Sequence, residues 1–119
     1  MNEGKPGRGT LIVTGGSRGI GAATCIRAAG QGYSVCVNYQ GRQDSADAVV
    51  AEIEGSGGRA VAIQADVGIS ADIERLFEQA QSELGAITGL VNNAGVTGPL
   101  GRLDSFSAEE IAHTVAVNT

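Results

Sequence analysis

Apolar and polar positions along this chain fall into short runs of two periods. Leu11-Ile12-Val13, flanked by Thr10 and Thr14, is a continuous apolar run of the kind that suits a strand buried on both faces. A helical pattern follows from about Gly19 to Gln31, and Gly30-Gln31-Gly32 supplies its stop. Ser34 to Asn38 reads as a second strand. Ala46, Val49, Val50 and Ile53 then stand at helical spacing, in a helix that Asp44 or Ser45 caps and Gly55-Ser56-Gly57-Gly58 ends. Arg59 to Gln64 is a third strand. Ser70 caps a helix whose apolar face is Ile73, Leu76, Phe77, Ala80 and Leu84, closed by Gly85. Ile87 to Asn92 holds a fourth strand centred on Leu90-Val91. After a loop from Asn93 to Phe106, Ser107-Ala108-Glu109-Glu110 forms a capping box opening a last helix that runs to Thr119.

Strand and helix thus alternate four times with short connections, which requires right-handed crossovers and a parallel sheet covered on both faces. The expected fold is α/β, the N-terminal half of a Rossmann-type doubly wound parallel sheet with strand order 3-2-1-4, its C-terminal strands absent from this chain. Residues 1–9 read as a flexible lead-in and 10–119 as one domain of this fold, incomplete at its C-terminus. No stop signal accompanies Val117-Asn118-Thr119, and the fourth strand is expected to keep an exposed apolar edge. Both features lead to the expectation that these residues are the front portion of a longer protein.

Composition narrows the choice of partner. Hydrophobic residues make up 42% of the 119, enough for a core, while aromatics at 3% leave that core to Ala, Val, Ile and Leu. The net charge of −5 argues against nucleic-acid and membrane-surface binding, which call for basic patches. Cys25 and Cys36 form no CxxC pair and read as buried, reduced thiols of a cytoplasmic protein. No metal-ligand cluster and no G-x-S-x-G elbow occurs, and the single His113 reads as a surface residue.

Candidate chemistry starts at the first strand–helix turn. Gly15, Gly16, Gly19 and Gly21 remove the Cβ atoms that would hold a phosphate away from the backbone, and the helix behind them offers unpaired N–H groups. A P-loop is excluded because Ala22-Ala23 follow Gly21 where Lys-Ser/Thr is needed. The G-x-G-x-x-G fingerprint is also absent, since the spacing is G-x-x-x-G-x-G over Gly15, Gly19 and Gly21. Taken alone, such a triplet can be a turn without a ligand. Led by Thr14, it resembles the TGxxxGIG motif of the short-chain dehydrogenase/reductase family.

The other strand ends add to this picture, because parallel sheets bind ligands at the C-terminal ends of their strands. The first offers Gly15, Ser17, Arg18, Gly19, Ile20 and Gly21, and the second Asn38, Tyr39 and Arg42. No acid occurs from Ser34 to Gln43, where an NAD site usually has one for the ribose hydroxyls. Arg18 and Arg42 instead suit a 2′-phosphate, so NADP is the expected cofactor and NAD the less favoured one. Both arginines could otherwise be ordinary solvated surface residues.

The resemblance implies further roles. Asp66 and Val67 match the family's Asp-Val pair that meets the adenine, although an aspartate here can also cap the following turn. Asn92-Asn93-Ala94-Gly95 matches its NNAG motif, in which Asn93, Ala94 and Gly95 approach the cofactor and the amides steady the sheet. Asn118 matches the asparagine of the family's Asn-Ser-Tyr-Lys tetrad and is expected on the helix after the fourth strand; without the family it would read as a surface asparagine.

The rest of the tetrad is missing. Tyr33 is followed four places on by Val37 and Tyr39 by Gln43, so no Tyr-x-x-x-Lys exists in these 119 residues. The resemblance, which includes glucose-dehydrogenase-like and 3-oxoacyl-ACP-reductase-like members, implies the cofactor-binding portion of an NADP-dependent oxidoreductase. It also implies a small carbonyl or alcohol substrate and a homo-oligomer, dimer or tetramer, for the complete enzyme. The alternative is a truncated, inactive nucleotide-binding or partner-binding remnant. A receiver-like fold is disfavoured, because Thr14-Gly15-Gly16 lacks the clustered acids it requires.

Overall fold

A computed structural model of the chain describes residues 8–93 and 115–118. Strands β1 (Thr10–Thr14), β2 (Ser34–Tyr39), β3 (Arg59–Gln64), β4 (Ile87–Asn92) and β5 (Val115–Asn118) form one parallel sheet in the order β3-β2-β1-β4-β5. Helices α1 (Gly19–Gly30), α2 (Gln43–Gly55) and α3 (Ser70–Leu84) supply the crossovers between the first four strands. The alternation and the 3-2-1-4 order therefore follow the hydrophobic pattern.

Each strand sends alternate residues to opposite faces. Val13, Val35, Val37, Ala60 and Val91 pack with Cys25, Ala28 and Ala29 of α1 and with Ala46, Val49 and Ile53 of α2. Ile12, Cys36, Ile63 and Leu90 pack on the other side with Ile73, Leu76, Phe77, Ala80 and Leu84 of α3. The alanines on α1 allow close approach to the sheet, whereas α3 fills its face with large side chains. Leu76 is fully buried. Its truncation to Ala should cost about 2–5 kcal/mol through lost transfer energy and the cavity left behind.

Three expectations need correction. Neither Asp44 nor Ser70 is a cap: Arg42 and Ile69 occupy the N-cap positions of α2 and α3, and no side-chain bond closes either helix start. Asp44 lies in the first turn of α2 instead, where a carboxylate favours the helix dipole. Second, Val115–Asn118 is strand, not helix, and pairs with β4 through the register Leu90↔Ala116, Val91↔Val117 and Asn92↔Asn118. Val115 and Val117 are β-branched, and the edge of β4 pairs with the backbone of the strand on one side. Third, β4 consequently has no bare edge. The loop after Asn93 and the Ser107–Glu110 capping box lie outside the described residues. So do residues 1–7, while Arg8 and Gly9 are tied to the sheet: Arg8 N–H donates to Gly32 O at 3.3 Å, and Ser34 N–H donates to Gly9 O at 2.9 Å.

Candidate functional site

Because the strands run parallel, the turns after β1, β2, β3 and β4 emerge at one edge of the sheet. Gly15–Gly21, Asn38–Arg42, Asp66, Val67 and Asn93 are gathered there. Asn118 occupies the last position of β5, in one row with Asn92 and Thr14. Ala94 and Gly95 lie outside the described residues.

The turn after β1 is fixed by its neighbours. Thr14 Oγ1 donates to Val91 O at 3.3 Å, and Asn93 Nδ2 donates to Gly15 O at 2.9 Å. Gly15 N–H donates to Asn38 Oδ1 at 3.3 Å, and Gly16 N–H to Asn38 O at 2.9 Å. Beneath it, Cys25 Sγ lies 3.8 Å from Gly16 O. Gly15 (φ 62) and Gly19 (φ 61) are in the left-handed region that other residues reach only with strain. Gly21 is required for a different reason. A Cβ there would strike the Gly15 carbonyl and come within 2.6 Å of Asn93 Nδ2.

This bracing uses the inner side of the turn and leaves the outer side open. Among the described residues, the N–H groups of Ser17, Arg18, Gly19, Ile20 and Gly21 donate to no acceptor. They stand at the N-terminus of a 12-residue helix with no acid in its first turn. Adjacent unpaired donors on the positive end of a helix dipole form a cradle for an anion.

The charges beside the cradle have the same sign. Arg18 is the N-cap of α1 and Arg42 the N-cap of α2; both are exposed, and neither side chain has a hydrogen bond or ion pair among the described residues. A cation at a helix N-terminus opposes the dipole by about 0.3–1 kcal/mol. An anion between the two would reverse that sign.

The turn after β3 is closed around Asp66. Asp66 Oδ1 accepts from Gly68 N–H at 2.8 Å, and Oδ2 accepts from Gln40 Nε2 at 3.3 Å. Asp66 N–H donates to Asp72 Oδ2 at 2.9 Å, and Asp66 O accepts from Ile69 N–H at 2.9 Å. Val67 buries its side chain in the core, while its N–H has no acceptor among the described residues. Gln40 and Asp72 were not foreseen as parts of this edge. The signal available was an acid six residues after Asp66, within the first turn of the next helix.

Asn38 has a different position from the one expected of a cofactor contact. It is 2% exposed, and its Nδ2 donates to Ile63 O at 3.3 Å and Ala65 O at 3.2 Å. Tyr39 is half-buried against the α2 side of the core. The exposed large apolar residues of the described chain, Ile20 (67%) and Ile69 (49%), both stand at this edge.

Other groups are unsuited to chemistry. Burial pushes the Cys25 thiol up to about 12 and raises that of Cys36 further, so both stay protonated. Among the described residues no group of three or more His, Cys, Asp or Glu could hold a metal ion, and no helix is long and apolar enough to cross a membrane. A groove of about 340 Å³ lies between α1 and the β1–β4 pair, lined by Leu11, Arg27, Ala28, Tyr33 and Val91 among others; the glycine turn takes no part in it.

Comparison with known proteins agrees with this geometry. Residues 9–119 match the family model described as short chain dehydrogenase. The chain is 44% identical over 88 residues to the 3-oxoacyl-[acyl-carrier-protein] reductase FabG of Staphylococcus epidermidis, covering 74% of this chain and 36% of that protein. Among solved structures, a short-chain dehydrogenase/reductase from Serratia marcescens is 41% identical with a TM-score of 0.72, over 76% of this chain and 37% of that one. FolM alternative dihydrofolate reductase 1 from Brucella canis, solved in complex with NADP, is 36% identical with a TM-score of 0.68, over 75% of this chain and 35% of its own. The chain thus spans little more than a third of the length of these relatives.

Proposed function

The chain belongs to the short-chain dehydrogenase family, and we propose that it forms the NADP-binding portion of an oxidoreductase acting on a small carbonyl or alcohol. The observation that carries this reading is the open turn after β1. Among the described residues its N–H groups from Ser17 to Gly21 lack acceptors, and arginines without a bond to those residues stand at the starts of both α1 and α2. A nicotinamide dinucleotide supplies or accepts the hydride in such a reaction. In this chain, Gly15 to Gly21 would hold the pyrophosphate, with Ser17 and Ile20 lining it, and Arg18 and Arg42 would grip a 2′-phosphate as charge-assisted forks. Tyr39 would wall the adenosine half. Asp66 retains carboxylate lone pairs for the adenine amino group, and Val67 N–H is placed to meet the ring. Asn93, Ala94 and Gly95 would let the backbone approach the cofactor, and Asn118 would support a water that connects the tetrad lysine of the complete enzyme to solvent. The likeness to 3-oxoacyl reductases supports carbonyl reduction as the direction and oligomerisation of the complete enzyme. Two unpaired thiols support a cytoplasmic setting.

Titration with NADPH and NADH tests the cofactor. NADPH is expected to bind more tightly, and Arg18→Ala with Arg42→Ala should weaken NADPH at least about tenfold, a loss of about 1.4 kcal/mol, while NADH shifts little. A preference for NADH would overturn the assignment. A second reading, a nucleotide-binding protein without turnover, is favoured by the lack of Tyr-x-x-x-Lys in these 119 residues. The 119-residue chain is expected to bind NADPH without reducing a panel of carbonyls; measurable reduction would refute that.

A further inference from the structure

The structure assigns Asn38 as a positioning residue that locks the phosphate-holding turn after β1 to the adenine-side turn after β3. The inference rests on the NADP-binding reading above and deepens it. Asn38 is the fifth residue of β2, the strand between β1 and β3, and it is 2% exposed. Its groups face both neighbours. On the β1 side, Oδ1 accepts from Gly15 N–H at 3.3 Å, and the main-chain carbonyl accepts from Gly16 N–H at 2.9 Å. On the β3 side, Nδ2 donates to Ile63 O at 3.3 Å and Ala65 O at 3.2 Å. Ala65 N–H donates in turn to Tyr39 O at 2.9 Å, and Asp66 follows directly.

The main chain of β2 reaches both turns once, through Gly16 N–H to Asn38 O and Ala65 N–H to Tyr39 O. Beyond Thr14 the chain leaves the sheet, and β3 ends at Gln64. Gly15 N–H and Ala65 O, just past those strand ends, are taken by the Asn38 side chain. An amide can take both, because it carries an acceptor oxygen and a two-proton nitrogen on one planar group. A carboxylate lacks the donor, a hydroxyl is too short to reach both sides, and an apolar residue offers neither. Buried polar groups that span several segments fix a single relative placement, because each unmade bond would leave an unsatisfied group. Asn38 thereby sets the distance between the pyrophosphate cradle and Asp66–Val67 without touching the cofactor.

The test uses amide hydrogen exchange and NADPH titration on Asn38→Leu and Asn38→Asp. In Asn38→Leu, exchange at Gly15 should accelerate at least about tenfold, while Gly16, whose acceptor is the main-chain carbonyl of residue 38, and Val13 and Val37 stay protected. NADPH affinity should fall at least about tenfold, with the loss shared by NADH because both dinucleotides span the two turns. Asn38→Asp keeps the oxygen facing Gly15 N–H but turns a negative group on the Ile63 and Ala65 carbonyls. It should retain slow exchange at Gly15 and still lose NADPH affinity. Unchanged NADPH affinity in either variant would overturn the assignment, as would a protected Gly15 in Asn38→Leu. If Asn38→Leu loses protection at Val13 and Val37 as well, the same readings on Asn38→Asp decide. Should the parent chain fail to bind NADPH, the cofactor reading fails, and exchange at Gly15 still decides whether the Asn38 side chain holds the turn.

Discussion

The turns after β1 and β3 share one topology, strand to helix across the same edge, yet they solve opposite problems. After β3, Asp66 bonds to Gly68 and Gln40, and Asp72 folds back to accept Asp66 N–H, so the turn closes on its own side chains. After β1, the bracing bonds come from Thr14, Asn38 and Asn93 on the sheet side and from Cys25 beneath, and among the described residues the donors from Ser17 to Gly21 point to no acceptor. A βα turn is therefore not a binding site by virtue of its place in the fold. It becomes one when the side chains that could satisfy it are withheld, here by glycines and by an arginine in place of a capping Ser, Thr or Asp.

The sharpest way to break the comparison is to add one methyl group to each turn. Gly21→Ala should destabilise the chain by about 3 kcal/mol, because its Cβ would overlap the Gly15 carbonyl, which the backbone holds in place. Gly68→Ala places its Cβ 3.1 Å from Asp66 Oδ1, a side-chain atom that can shift, and should cost under about 1 kcal/mol. Urea midpoints of the two variants measure the difference. Equal losses would show that the open turn is no more constrained than the closed one.

The thiols beneath the two faces give a second, smaller test. Cys25 underlies the open turn on the α1 face, and Cys36 lies on the α3 face. Burial raises the Cys25 thiol from 9.0 to about 12, so the folded chain keeps its proton where the unfolded chain loses it. Stability from this group is intact below pH 9 and declines as pH rises toward 12, by up to about 1.4 kcal/mol per pH unit. Urea unfolding from pH 8 to 11 should show this decline, and Cys25→Ala should reduce its slope. A further modest effect is expected at Asp72→Ala, which removes the acceptor for Asp66 N–H and an acid from the first turn of α3. A loss of about 1 kcal/mol is expected, with little change in NADPH affinity if the open turn carries most of the binding.

Much of this was legible in the sequence, for local reasons. The runs 10–14, 59–64 and 87–92 are strands as read, because a buried parallel strand is a continuous apolar run. The five-residue face of α3 is visible as a 3.6-residue period. The errors lie where a distant partner decides. Ser70 looks like a cap, but Asp72 is committed to Asp66, and the helix starts without a side-chain cap. Val115–Asn118 fits the end of a helix until the edge of β4 is set beside it. The glycine spacing exposed the cradle, and the arginines announced themselves by type. The bracing did not: Asn93 meets Gly15 across 78 positions, and Asn38 meets Ala65 across 27.

The central place of β1 has a consequence for the birth of the chain. β1 emerges first, but its β4 neighbour follows only after β2 and β3 are made, with Thr14 and Asn92 78 positions apart. At about 5–20 residues per second of synthesis, that edge of Leu11-Ile12-Val13 waits roughly 4–16 s for its partner. Long-range parallel pairing is also slow in itself. The strand that seats the glycine turn thus spends that interval with one side of its backbone without its final partner.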